Sequence, residues 1–150
     1  MNTLYRITEK LKQELESNKL VNTVSYGDIT DVDLNKSTQF PIAHVMLGEA
    51  SISDSTIDLG VSVMFMDIVD ESKEDNDLYF GNDNEHDVLN SMLSAATKTF
   101  QEFKRGTSYS DGFQAQETAN VEFFTDRFEN KIAGVSLNFN LTLLNSAGLC

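Results

Sequence analysis

The sequence has few of the residues that cross-link a chain or bind polyanions. Its one cysteine, Cys150, is the last of 150 residues, so no disulfide can form within the chain, which fits a reducing compartment. Lys and Arg number 11 against 24 Asp and Glu, a formal net charge of −13. Duplex-binding surfaces need cations that displace counterions. The charge therefore argues against a DNA-binding surface and favours solubility and repulsion from polyanions.

Long apolar runs are also missing. A membrane-spanning helix needs about 20 mostly apolar residues, and the polar start MNTLYRITEK does not resemble a signal peptide. We therefore expect neither a membrane span nor a secretory leader. The hydrophobic fraction of 40%, with ten Phe, predicts a folded chain with a substantial core. The length suggests a single domain over residues 1–150.

Two segments have the spacing of amphipathic helices. From Thr3 to about Asn18, apolar residues recur every three or four positions, and they are Leu4, Ile7, Leu11 and Leu15. A second helix is predicted from Glu85 to about Lys104, with Asn84 as its N-cap and Gly106 as its stop. Its predicted buried face consists of Leu89, Met92, Leu93, Ala96, Phe100 and Phe103.

The longest strand signal is Thr56–Asp70, where Ile57, Leu59, Val61, Val63 and Phe65 alternate with a second set of side chains. Its predicted hairpin partner begins after the only proline, Pro41, with Ile42–Leu47, and continues past Gly48 with Ala50–Ile52. Ser53-Asp54-Ser55 has turn chemistry and joins the two strands. Strands of this length exceed the usual five or six residues, so one end should project or meet another subunit.

Three further strands are predicted, at Val21–Tyr26, Asn120–Thr125 and Ile132–Leu144, and Thr107–Thr118 is predicted to be a loop. In Ile132–Leu144 the apolar side chains alternate with uncharged polar ones, Ser136, Asn138, Asn140 and Thr142. The predicted fold class is α+β: a mainly antiparallel sheet of four to five strands, with two helices packed on one face and long hairpin extensions.

Negative charge is concentrated between Asp67 and Asp87. Nine acids and one base, Lys73, give a net −8 within these 21 residues. The segment lacks the ligand spacing of an EF-hand. Asn82, Asp83, Asn84 and Asp87 could hold a cation opportunistically, but a solvated loop and helix cap is the favoured interpretation. No metal site is predicted.

Signals for catalysis are weak. We expect His44, within a strand, to be a hydrogen-bonded histidine at a core edge or interface, and His86 to lie on the surface. Nothing fixes or activates Cys150, and the sequence has no nucleophile elbow and no phosphate-binding glycine motif. Paired carboxylates cannot be singled out among so many acids. We predict no enzyme activity and no cofactor.

Five stretches, together with the order of elements, the long hairpins and the acidity, resemble the tail terminator, or tail completion, proteins of tailed bacteriophages. They are Gly27-Asp28-Ile29 through Asp33-Leu34, Phe40-Pro41-Ile42-Ala43-His44, Met66-Asp67-Ile68-Val69-Asp70, Gly81-Asn82-Asp83 and Asp126-Arg127-Phe128-Glu129-Asn130. None of these stretches is a catalytic signature, and no functional residue is transferred from the family.

The resemblance implies a virion structural protein of the tail or neck, assembled in the host cytoplasm. Such proteins form rings, usually of six copies, at the head-proximal end of the tail tube. The implied partners are further copies of the chain, the tail tube protein and the head–tail connector or stopper, with no membrane. Genomic DNA would pass through the ring without sequence-specific binding.

Two hypotheses follow for the residues involved. Asp70, Glu71, Glu74, Asp75 and Asp77 would line the channel or face an adjoining ring, where like charge keeps DNA from sticking. Ile132–Leu144 and Thr56–Asp70 would extend the sheet across subunit contacts, with Ser136, Asn138, Asn140 and Thr142 at the contact. Alternatives are a stopper, adaptor or tail tube subunit, and less favoured ones are a cellular binding module or small enzyme.

Overall fold

Two helices and six strands form an α+β fold in the computed structural model, which describes residues 3–28, 40–69, 85–106, 113–127 and 132–144. In chain order they are α1 Thr3–Ser17, β1 Thr23–Tyr26, β2 Ile42–Ile52, β3 Thr56–Ile68, α2 Glu85–Gly106, β4 Phe113–Ala115, β5 Asn120–Arg127 and β6 Ile132–Leu144. Both helices and the long strands begin and end within about two residues of their predicted bounds. No helix among the described residues is long and apolar enough to cross a bilayer.

The sheet is strongly curled and mixed rather than purely antiparallel. Its strand order is β1-β2-β3-β6-β4, and β5 pairs with β6 beyond the stretch that β4 occupies. β1 lies parallel to β2, with Thr23 opposite Ile42, whereas all other pairs are antiparallel. The prediction of a mainly antiparallel sheet is confirmed, because only the β1–β2 pair is parallel. The predicted number of strands is wrong, because the sheet has six rather than four to five.

The two longest strands occupy the middle of the sheet. β3 pairs with β2 on one side and with β6 on the other, in register from Thr56 opposite Leu144 to Ile68 opposite Ile132. The free side of β6 is covered by β4 and β5. Both strands are paired on both sides along most of their length, which leaves little edge for the predicted extension of the sheet into a neighbouring subunit. A subunit contact through these strands would therefore use mainly their faces.

The predicted β2–β3 hairpin is confirmed. Ser53 closes it, with its backbone N–H donating to the Thr56 carbonyl over 2.8 Å. The register shifts between Leu47 and Ala50, so the two predicted apolar runs are one strand with a bulge near Gly48. Beyond the bulge, Gly48 to Ile52 are exposed.

The main core lies between the helices and one face of the sheet. In α1, Ile7, Leu11 and Leu15 are buried as predicted, but Leu4 is largely exposed. In α2, Met92, Ala96 and Phe103 are buried, while Leu89, Leu93 and Phe100 are partly buried against the same cluster. The sheet contributes alternate residues, Val61, Val63 and Phe65 from β3 and Val135, Leu137, Phe139, Leu141 and Leu143 from β6. Both helices therefore pack on one face of the sheet.

Three aromatic rings attach β4 to this core. The Phe103 ring stacks on Phe113 with centroids 6.0 Å apart and lies 5.7 Å from Phe139. Phe113 is buried and opposes Leu143 in the sheet. The predicted loop Thr107–Thr118 is thus wrong at these positions, because burial of Phe113 and Ala115 draws three residues into the sheet.

A buried asparagine connects the two helices. Asn18 follows α1 and is only 2% exposed. Its Nδ2 donates to the Ala95 carbonyl over 3.1 Å and to Thr99 Oγ1 over 3.0 Å, and its Oδ1 accepts from the Leu20 N–H over 3.0 Å. The end of α1 is therefore fixed against the middle of α2 by directional polar contacts as well as by apolar packing.

Candidate functional site

The face of the sheet that points away from the helices is divided into two halves. The apolar half forms a second buried cluster, with Ile42, Met64, Met66, Phe124 and Ile132 at its centre and Phe40 beside them. The other half bears short polar side chains. β3 and β6 continue without interruption from the apolar half into the polar half. The two halves therefore differ in their side chains and not in their backbone structure.

We call the second half the polar face, and it comprises Asp58, Gly60 and Ser62 of β3 and Ser136, Asn138, Asn140 and Thr142 of β6. The register places Asp58 opposite Thr142, Gly60 opposite Asn140 and Ser62 opposite Asn138, whereas Ser136 stands opposite Met64 at the boundary with the apolar half. Directly opposed residues of paired strands share one side of a sheet. The pairing therefore joins two separate sequence patterns into one surface.

Hydrogen bonds within the polar face connect its side chains to one another. Thr142 Oγ1 donates to Asp58 Oδ1 over 3.1 Å, and the Ser62 and Ser136 hydroxyls lie 3.3 Å apart. Asn138 Nδ2 lies 3.4 Å from the Ser136 carbonyl. Six of the seven residues carry no charge, and the one acid, Asp58, accepts a hydrogen bond from Thr142. Glu122 of β5 stands opposite Ser136 at the border of the face.

A shallow depression of 180 Å³ runs along this face, lined partly by Gly48, Gly60 and Asn140. It exists because two glycines meet there: a Cβ on Gly48 would lie 3.4 Å from the Gly60 carbonyl oxygen. The depression is too small and open for a drug-sized ligand, which occupies about 300–1,000 Å³. Its shape suits a side chain or loop from a partner better than a buried substrate.

The predicted contact residues are brought together as follows. Ser136, Asn138, Asn140 and Thr142 all lie on the polar face, and all four are exposed or partly exposed. Sequence reasoning missed that Asp58, Gly60 and Ser62 complete it, although their alternation with apolar residues was visible. The predicted acidic residues Asp70, Glu71, Glu74, Asp75 and Asp77 lie outside the described residues.

His44 lies on the same side of the sheet, opposite Met64, and is fully buried. Its Nδ1 lies 2.7 Å from Ser25 Oγ and its Nε2 lies 2.7 Å from the Gly27 carbonyl oxygen. Since the carbonyl only accepts, Nε2 carries a proton and donates to it, and the Ser25 hydroxyl can donate to Nδ1. The prediction that His44 is hydrogen-bonded is confirmed.

This histidine ties β1 to β2. Gly27 turns the chain at φ +109°, a conformation that favours glycine, and so directs its carbonyl to His44. Ser25 and His44 stand opposite each other in the parallel pair. The Ser–His contact resembles part of a nucleophilic dyad, but the second ring nitrogen meets a backbone carbonyl where a triad would place a carboxylate.

The remaining predicted positions add no cluster of ligands among the described residues. His86 and Asp87 are exposed in the first turn of α2. Asn82, Asp83, Asn84 and Cys150 lie outside the described residues. Within the described ranges, no three His, Cys, Asp or Glu side chains are grouped as metal ligands would be.

Comparison with known proteins adds no relative. The sequence matches no protein-family model, and no curated protein is similar enough to be matched.

Proposed function

We propose that this protein is a virion structural subunit that forms a ring at the head-proximal end of a phage tail, ending the tail tube and joining it to the head–tail connector. The observation that carries the proposal is the polar face. It is a surface with one acid among its seven residues, on a chain with a net charge of −13. The sequence resemblance to tail terminator proteins supplies the specific position in the virion.

Charge explains why such a surface suits assembly. Copies that each carry −13 repel one another unless the surfaces that meet contain few acids. Of the seven residues of the polar face, only Asp58 is acidic, and Thr142 Oγ1 donates to it. A polar contact of this kind also avoids an exposed apolar patch on the free subunit, which would promote aggregation.

Electron microscopy tests the proposal. The purified protein, alone and mixed with tail tubes, should form single closed rings, with a ring at one tube end in the mixture. Stacked rings that grow into tubes without added tube protein would indicate a tail tube subunit instead. Particles that remain single subunits even in the presence of tube ends would contradict the ring. Neighbouring genes for capsid, portal and tail proteins would support the same position independently.

Paired variants locate the contact. Asn140→Arg places a long cation on the polar face, so it should abolish ring formation if that face is a contact. Ser94→Arg adds the same side chain to the exposed surface of α2 and should leave rings intact. Equal ring yields from both variants would remove the polar face from the interface.

The acidic segment is proposed to face the DNA channel or an adjoining ring. Changing Asp70, Glu71, Glu74, Asp75 and Asp77 to the corresponding amides removes five negative charges, so DNA should be retained more strongly in the channel. Reduced genome passage or ring stacking is expected, measured as virion yield and infectivity. Unchanged yield and infectivity would count against the channel role.

A further inference from the structure

We draw no further inference here: the strongest candidate, the outer edge of β5 with the exposed side chain of Phe123, carries no proposal because nothing in the part of the chain that the structure describes shows what covers it.

Discussion

At the scale of single residues, Gly134 stands where the backbone of a neighbouring strand leaves no room for a side chain. A Cβ placed on Gly134 would lie 1.9 Å from the Phe65 carbonyl oxygen and 2.9 Å from its carbonyl carbon. The obstacle is backbone in the centre of the sheet, so it cannot rotate away as a side chain could. Gly134 is fixed by space, whereas Gly27 is fixed by its backbone conformation.

Gly134→Ala should lower the free energy of unfolding by about 3 kcal/mol or more, because β3 and β6 must separate to admit the methyl group. Gly60→Ala is the matched control in the same sheet. A Cβ at Gly60 would meet its nearest neighbours at 3.5 Å, an ordinary contact, and alanine is less flexible than glycine in the unfolded chain. The control should therefore change stability by less than about 1 kcal/mol. Urea unfolding measures both, and equal losses would contradict the steric explanation.

At the scale of elements, one side chain helps to set the position of α1 along α2. Asn18 offers both donors of its amide to α2 and its acceptor to the turn after α1. Most other contacts between α1 and the core are apolar. Such contacts are not directional, so they hold α1 against the core but do little to prevent it from shifting along α2. The asparagine therefore defines where along α2 the end of α1 rests.

Asn18→Asp tests the role of these hydrogen bonds, because the two side chains have almost the same shape. The carboxylate cannot donate to the Ala95 carbonyl and adds a buried negative charge beside it, so the free energy of unfolding should fall by about 2–4 kcal/mol. Asn90→Asp makes the same substitution at an exposed position of α2 and should change it by less than about 0.5 kcal/mol. Chemical denaturation at neutral pH gives both values. A loss no larger than that of the control would show that packing alone positions α1.

The elements that could be predicted from the sequence are those with a sustained period. Strict alternation over Val135–Leu143 defines most of β6, and a similar run defines much of β3. The three- and four-residue spacing defines both helices. β4 could not be predicted, because Phe113–Ala115 is too short to show a period and is held by its contact with Phe103. The parallel pairing of β1 left one clue, since the 15 residues between Tyr26 and Ile42 exceed a tight hairpin turn.

The polar face was predictable only in part, for a related reason. Alternation shows that Ser136, Asn138, Asn140 and Thr142 share one side of their strand. Which strand continues that surface depends on pairing between residues about 80 positions apart, such as Asp58 and Thr142. The alternation of side chains within one strand can be read from neighbouring residues. The order in which strands pair depends on residues far apart in the sequence and cannot be read in that way.

At the scale of the whole molecule, the charge of −13 opposes folding as well as association. Self-repulsion weakens as salt shortens the screening length, which is about 10 Å at 0.1 M. The ion pair Lys12–Glu16, at 3.9 Å, is exposed, and exposed ion pairs contribute little to stability. With 24 acidic residues against 11 basic ones, we expect the repulsion that salt relieves to exceed the attraction that salt removes.

The melting temperature should accordingly rise by a few degrees, about 3–6 °C, between low and moderate NaCl. The variant with five amides at positions 70, 71, 74, 75 and 77 has a net charge of −8, from −13 plus five, and should rise less. Differential scanning fluorimetry in a salt series compares the two, with sucrose as the control for non-ionic solute effects. Equal rises in both proteins would show that the salt effect does not come from net charge.

The crowded glycine also fixes how the two central strands align. If β6 slid by two residues in either direction, every side chain would stay on its side of the sheet, so hydrophobic patterning alone does not forbid the slip. The slip would, however, bring Ile132 or Ser136 to the place where only a hydrogen atom fits against the Phe65 carbonyl. Gly134 therefore restricts β3 and β6 to a single register. That register is the one that brings the seven residues of the polar face together.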